Sequence, residues 1–160
     1  MHKSLIVFAL VIAFVCARST SSAGVNLVKS FEGFRSCKYK DAVGLWTIGY
    51  GHLIKSGETF NHCLSQAQAV ALLQKDLHSA ESCVSSHVKT SINQHQFDAL
   101  VSFTFNLGCG ALSSSTLLKK VNARQFSQCC AEFRKWVHGG GKVLPGLVRR
   151  REAECKLFTH

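Results

Sequence analysis

Between Tyr39 and Ile54 the chain changes character once, and that change limits the folds open to it. The segment mixes β-branched and aromatic residues with Gly44, Gly49 and Gly51, the composition of short strands joined by tight turns. Everything after Cys63 reads as helix. Ser65 with Gln68 makes a capping box ahead of AVALLQKDLHSA, and Ser91 with Gln94 repeats the device ahead of HQFDALVSFTFNLG. In the second stretch Phe97, Leu100, Val101 and Phe105 recur at helical spacing, and Gly108 is the stop. A short helix is predicted over 115–121 and another over 123–137, the latter with Phe126, Cys129, Cys130, Phe133 and Val137 on one side. GGGK at 139–142 and Pro145-Gly146 read as a loop before a last helix carrying Arg149, Arg150 and Arg151. Upstream, VNLVKSFEGF reads as a short amphipathic helix broken at Gly33, with Glu32 on its last turn. The sum is an α+β chain, with a small glycine-rich β lobe near the N-terminus and a larger helical lobe behind it.

The first stretch is of another kind. Lys3 precedes an unbroken apolar run from Leu5 to Ala17 that ends in small residues, the pattern of a secretory signal peptide. The run falls short of the ~20 residues of an ordinary membrane span, and no second run follows it. Residues 1–17 are therefore expected to be a leader, with Ala23 as an alternative end, and 24–160 a single domain. Eight cysteines are present, and seven lie beyond Cys16. In an oxidising compartment they imply up to three bridges and one leftover thiol. Cys129 and Cys130 are adjacent within a predicted helix, so each pairs elsewhere if it pairs at all. A zinc site is the rival reading, but neither CxxC nor HExxH occurs, and no metal or other cofactor is expected.

The formal net charge of +10 favours anionic partners: bacterial envelopes, nucleic acid or acidic membranes. Lys119, Lys120, Arg149, Arg150 and Arg151 are the candidates for a basic patch. A nucleic-acid binder of this charge should also carry a docking element or regularly placed surface aromatics, and the aromatics here sit mostly at core spacing.

The β segment and the helix before it hold the residues for chemistry. Cleaving a glycosidic bond needs a proton delivered to the leaving oxygen and a water or nucleophile on the far side of the sugar. Glu32, near Phe31, Phe34 and Trp46, can be shielded enough to keep a proton. Asp41, on a glycine-rich turn, can stay ionised, and the Thr47 hydroxyl can hold the same water.

FEGFRSCKYKDAVGLWTIGYGH resembles the active-site signature of the phage-type lysozymes. LSQAQAVALLQKDL, NQHQFDALVSFTFNLGCGALSSSTLLKKVN and FRKWVHGGGKVLPGLVRRREAECKLF resemble successive blocks of the same family, so the likeness runs from Val25 to Phe158. It implies a lysozyme-like fold with the active cleft between the lobes. It implies hydrolysis of the β-1,4 bond between N-acetylmuramic acid and N-acetylglucosamine, with inversion at the anomeric carbon. By position Glu32 matches the general acid, Asp41 the catalytic aspartate (base or electrostatic partner) and Thr47 the threonine completing the site. His52 and Asp76 match a structural ion pair. Asn106 matches a cleft-lining position, although a helix-terminal Asn can instead bond its own backbone. Trp46 either stacks on a sugar or belongs to the core. The expected partners are bacterial peptidoglycan and the anionic envelope, without nucleic acid or stable membrane insertion. The expected state is a secreted monomer, defensive or digestive, reinforced by disulfides. The alternatives are a noncatalytic cationic or sugar-binding relative, and a related enzyme that acts on chitin or is a lytic transglycosylase.

Overall fold

In the computed structural model, residues 18–41 and 44–160 are described, and the expected leader lies outside them. The first helix, α1 (Ser22–Glu32), begins at Ser21, whose Oγ accepts the Ala23 N–H. Ser21 N also donates to Asp98 Oδ1, and Thr20 donates through both N and Oγ1 to Glu81 Oε1. Arg18 donates to Gln94 Oε1 and lies over the Phe97 ring. The alternative leader end at Ala23 therefore falls inside α1, two residues past its cap. α1 crosses the central helix at Gly24, where a Cβ would come 2.8 Å from Asp98 Cβ, so only glycine fits.

Three short strands follow as an antiparallel meander: β1 (Arg35–Lys40), β2 (Trp46–Gly49) and β3 (His52–Leu53). Lys40 faces Trp46, Tyr39 faces Thr47, and Ile48 faces His52. The sheet docks on α2 (Gln66–His87), with Gly49 close against Ala69 and Ile48 fully buried. The Ser65–Gln68 capping box opens α2 as the sequence predicts.

The central helix is α3 (Gln94–Leu107), surrounded by α1, α2, α4 (Cys109–Ser114) and α7 (Pro145–Phe158). Every residue from Gln96 to Thr104 is buried. Its capping box is Asn93 with Gln96, not Ser91 with Gln94. The Gln94 amide is engaged elsewhere, donating to Ser19 O and Asp98 Oδ1. Val28, Leu73, Leu77, Phe97, Leu100 and Phe103 join Leu117, Val121, Phe133 and Phe158 in one core.

Two further expectations are corrected. α5 (Thr116–Asn122) covers nearly the predicted range, but the helix expected over 123–137 is broken. Arg124 takes φ 57°, which ends α5, and a 3-10 turn at Phe126–Gln128 leads into a short α6 (Cys129–Phe133). The GGGK loop contains a hairpin, β4 (His138–Gly139) with β5 (Lys142–Val143). Gly140 and Gly141 supply the positive φ its two-residue turn requires. Pro145 sits in the first turn of α7 rather than in a loop, where its fixed φ and missing N–H cost nothing.

Three disulfides tie the elements: Cys37–Cys63, Cys83–Cys109 and Cys130–Cys155. Cys129 is the leftover thiol, fully buried in the core, and burial pushes its pKa up to about 11. Thiolate is the reactive form. Disulfide-bonded protein beginning at Arg18 should thus show no fast thiol toward an aromatic disulfide reagent at pH 8. Full denaturation should release one thiol per chain. A fast-reacting thiol in native protein would contradict this packing.

Candidate active site

Glu32 ends α1, and Gly33 turns the chain away at φ 70°. The glutamate points to where the lobes meet, and a Cβ on Gly51 in the β2–β3 turn would lie 3.6 Å from Glu32 Oε2. From the helical lobe, Arg150 Nη1 donates to Glu32 Oε1 at 2.7 Å. The Arg150 side chain is only 5% exposed, against 25% for Glu32. Its guanidinium lies over the Phe31 ring and also bonds Glu154 Oε1 and Ser102 O. The catalytic candidate is thus fixed by a buried cation while one edge stays open.

Behind it stands a buried charge network. Glu154 is wholly inaccessible and takes bonds from Ser102 Oγ, Arg150 and Arg151. Arg151 Nε stands 2.9 Å from Glu154 Oε2 without hydrogen-bond alignment, so that contact is charge pairing alone. Burial pushes the Glu154 carboxyl up to about 7, and burial likewise lowers the Arg151 pKa. Arg151 Nη2 also donates to Asn106 Oδ1 at 2.7 Å. Asn106 is therefore held by Arg151. It shares with Glu32, Phe31, Arg149 and Arg150 the lining of an open cavity of about 460 Å³.

Asp41 sits where β1 turns toward β2. Its Oδ1 accepts from Leu45 N at 2.8 Å, and its own N donates to Leu45 O. Thr47 Oγ1 donates to the same Leu45 carbonyl at 3.3 Å. The backbone of one residue, Leu45, therefore organises both. Among the described residues, the His/Cys group close enough to share a metal ion is Cys83, His87 and Cys109, and its two cysteines are bonded to each other.

His52 is buried, with Nδ1 at 2.9 Å from both Asp76 carboxylate oxygens, and its Nε2 meets Glu58 Oε2 at 3.0 Å. Glu58, which the sequence did not single out, makes this a three-residue tie from β3 to α2 and the intervening loop.

Other sequence expectations are displaced. Trp46 neither joins the core nor reaches the Glu32 cavity: it is 48% exposed and lines a separate cavity on the β lobe. Phe34 packs on Tyr50, so of the three aromatics expected around Glu32 only Phe31 lines its cavity. The basic patch also shrinks, since Arg150 and Arg151 are buried and paired, leaving Arg149 and Lys119 exposed and Lys120 partly exposed. Sequence reasoning missed Arg150 as the partner of Glu32. The available signal was Glu154, placed at helical spacing from both arginines, which marks them as ion-paired rather than solvated.

A short antiparallel sheet set beside a helical body, with a carboxylic acid held where they meet, is the lysozyme class of fold. The phage lysozyme family model matches residues 29–154. The endolysin of Bacillus phage B103 is 47% identical over 142 residues, which cover 86% of this chain and 53% of that endolysin. The endolysin of Acyrthosiphon pisum secondary endosymbiont phage 1 is 39% identical over 142 residues, 86% of this chain and 96% of its own length. The chain thus spans about half of the first relative and nearly all of the second. Among solved structures, the muramidase domain of SpmX from Asticaccaulis excentricus superposes with a TM-score of 0.78 at 38% identity, covering 88% of this chain and 97% of that one. The chain belongs to the phage lysozyme family.

Proposed function

We propose that this chain is a peptidoglycan hydrolase that cleaves the β-1,4 bond between N-acetylmuramic acid and N-acetylglucosamine with inversion. The observation that carries the reading is the Glu32 carboxyl, pinned by Arg150 yet open to a cavity between α1 and α7. Glu32 delivers its proton to the glycosidic oxygen as the C1–O bond breaks. A water held by Asp41 and the Thr47 hydroxyl attacks C1 from the opposite face, forming the new C1–OH bond. Asn106, steadied by Arg151, offers its free amide to an acetamido group in the cleft. The His52–Asp76 pair acts structurally, by holding the sheet against α2. The similarity to endolysins and to a muramidase domain supports the substrate class.

The leader and three disulfides support export to an oxidising space, in antibacterial defence or digestion of bacteria. Processing after Ala17 leaves Arg18, Thr20 and Ser21 to make the contacts that anchor α1. The protein acts as a monomer on the anionic bacterial wall, without nucleic acid or membrane insertion. No described helix is long and apolar enough to cross a membrane.

Proton NMR during early hydrolysis of a soluble β-1,4 glycan tests the stereochemistry. The α-anomer should form first and then mutarotate. An initial β-anomer would replace the held water by a covalent intermediate, with Asp41 as the nucleophile.

A further inference from the structure

The outer face of the β lobe is built for a ligand that the cleft does not use. Strand alternation sends Thr47 and Trp46 to opposite faces, and Trp46 stands out into solvent. Lys38 and Lys40, on the neighbouring strand, bring Nζ to 5.6 and 5.5 Å from its ring centroid. Neither lysine has a carboxylate partner among the described residues. Beside the ring opens a cavity of about 390 Å³, walled by Lys38, Lys55, Ser56, Thr59, Asn61 and Trp46. Its carboxylate, Glu58, is turned to other work: it accepts from Lys55 N and pairs with His52. The Lys55 N–H and His52 hold it below the usual carboxylate range.

An exposed indole flanked by unneutralised ammonium groups offers an apolar plate for C–H faces and point charges for phosphate. Lys38 and Lys40 lie two residues apart along β1, about 6.6 Å by the strand rise, a spacing suited to successive charges on a linear polymer. The small hydroxyl and amide groups of the adjoining loop suit polyol or sugar oxygens. We infer that this face is a docking site for a wall glycopolymer with a polyol-phosphate backbone, distinct from the cavity at Glu32. The inference rests on the peptidoglycan-hydrolase reading, because the same wall then presents both ligands.

The test uses disulfide-bonded full-length protein carrying Glu32→Gln, so that walls stay intact. Binding to lipid-free poly(glycerol phosphate) is measured by calorimetry. Binding to Gram-positive walls is measured by cosedimentation, before and after hydrofluoric acid removes their phosphodiester polymers. Intact walls should bind at least about tenfold tighter than stripped ones, and rising salt should weaken the binding. The Lys38→Ala/Lys40→Ala pair and Trp46→Ala should each weaken polymer binding by about tenfold, the first by lost phosphate contacts and the second by lost stacking. A Lys119→Ala/Lys156→Ala pair removes equal charge elsewhere and should leave binding unchanged. Circular dichroism and melting of each variant confirm that these exposed positions leave the fold intact.

Absent polymer binding, equal weakening by the Lys119/Lys156 pair, or tighter binding of single-stranded oligonucleotide or anionic phospholipid vesicles through the same residues would each overturn the site. Unsubstituted protein is assayed separately for hydrolysis of stripped walls. Hydrolysis without polymer binding sinks the docking site alone, and polymer binding without hydrolysis sinks the catalytic reading.

Discussion

Replacing Glu32 by Gln should lower the rate of reducing-end release from isolated walls by about 10²- to 10⁴-fold, the usual worth of a positioned general acid. The substitution keeps shape and keeps an oxygen for Arg150, but removes the proton that the leaving group needs. The loss should fall on kcat with KM little changed, because the interaction is made in the transition state. Arg150 keeps its bonds to Glu154 and to Ser102 O, so the variant should fold and melt near the parent. Circular dichroism and melting distinguish a lost acid from a lost fold. A variant that folds and retains the parent rate would remove Glu32 from the chemistry.

The largest effect on stability is expected at Glu154. Its carboxyl lies between Arg150 and Arg151 with no access to solvent. At pH 8 it is ionised, and Glu154→Leu strands the buried Arg151 guanidinium and leaves Arg150 with Glu32 and Ser102 O alone. Breaking a buried ion pair from one side costs about 3–5 kcal/mol, which is a large part of a small domain's stability. Urea unfolding should show that loss directly, and activity should fall too, because Arg150 would lose one of its anchors behind Glu32. The pH dependence has a definite sign. Burial raises this carboxyl from 4.5 to about 7, so the folded state holds its proton more tightly than the unfolded chain. This group's contribution to stability therefore falls as pH climbs from about 4.5 through about 7, a slope that Glu154→Gln should lack. A change below about 1 kcal/mol for Glu154→Leu at pH 8 would contradict the buried network.

How far the sequence carried depended on whether a feature was local. Glu32 at a helix end, Asp41 in a turn and Thr47 on the following strand could be placed because glycine punctuation and β-branched residues are short-range signals. The α2 cap was equally legible, since a Ser with Gln three residues on is self-contained. The α3 cap was not: Gln94 has the right spacing from Ser91, yet its side chain is drawn to Ser19 and Asp98. The helix expected over 123–137 failed in the same way, because a residue at positive φ, Arg124, leaves no mark in apolar periodicity. Arg150 and Arg151 were read as surface charge, the usual place for arginine. Arg150 is buried against Glu32 and Arg151 against Asn106, partners far away along the chain. Trp46 reads as a core or a sugar-stacking residue, and strand register opposite Lys40 instead turns it out to solvent.

Mass spectrometry of the fragments that disulfide-bonded, unsubstituted protein releases from isolated peptidoglycan is the most direct test of the whole account. Fragments ending in reducing N-acetylmuramic acid are the predicted result, because in the proposed reaction Glu32 protonates the leaving oxygen and water takes the anomeric carbon. No fragments from folded protein across about pH 4–8 would contradict it. So would fragments ending in reducing N-acetylglucosamine or in 1,6-anhydro sugar.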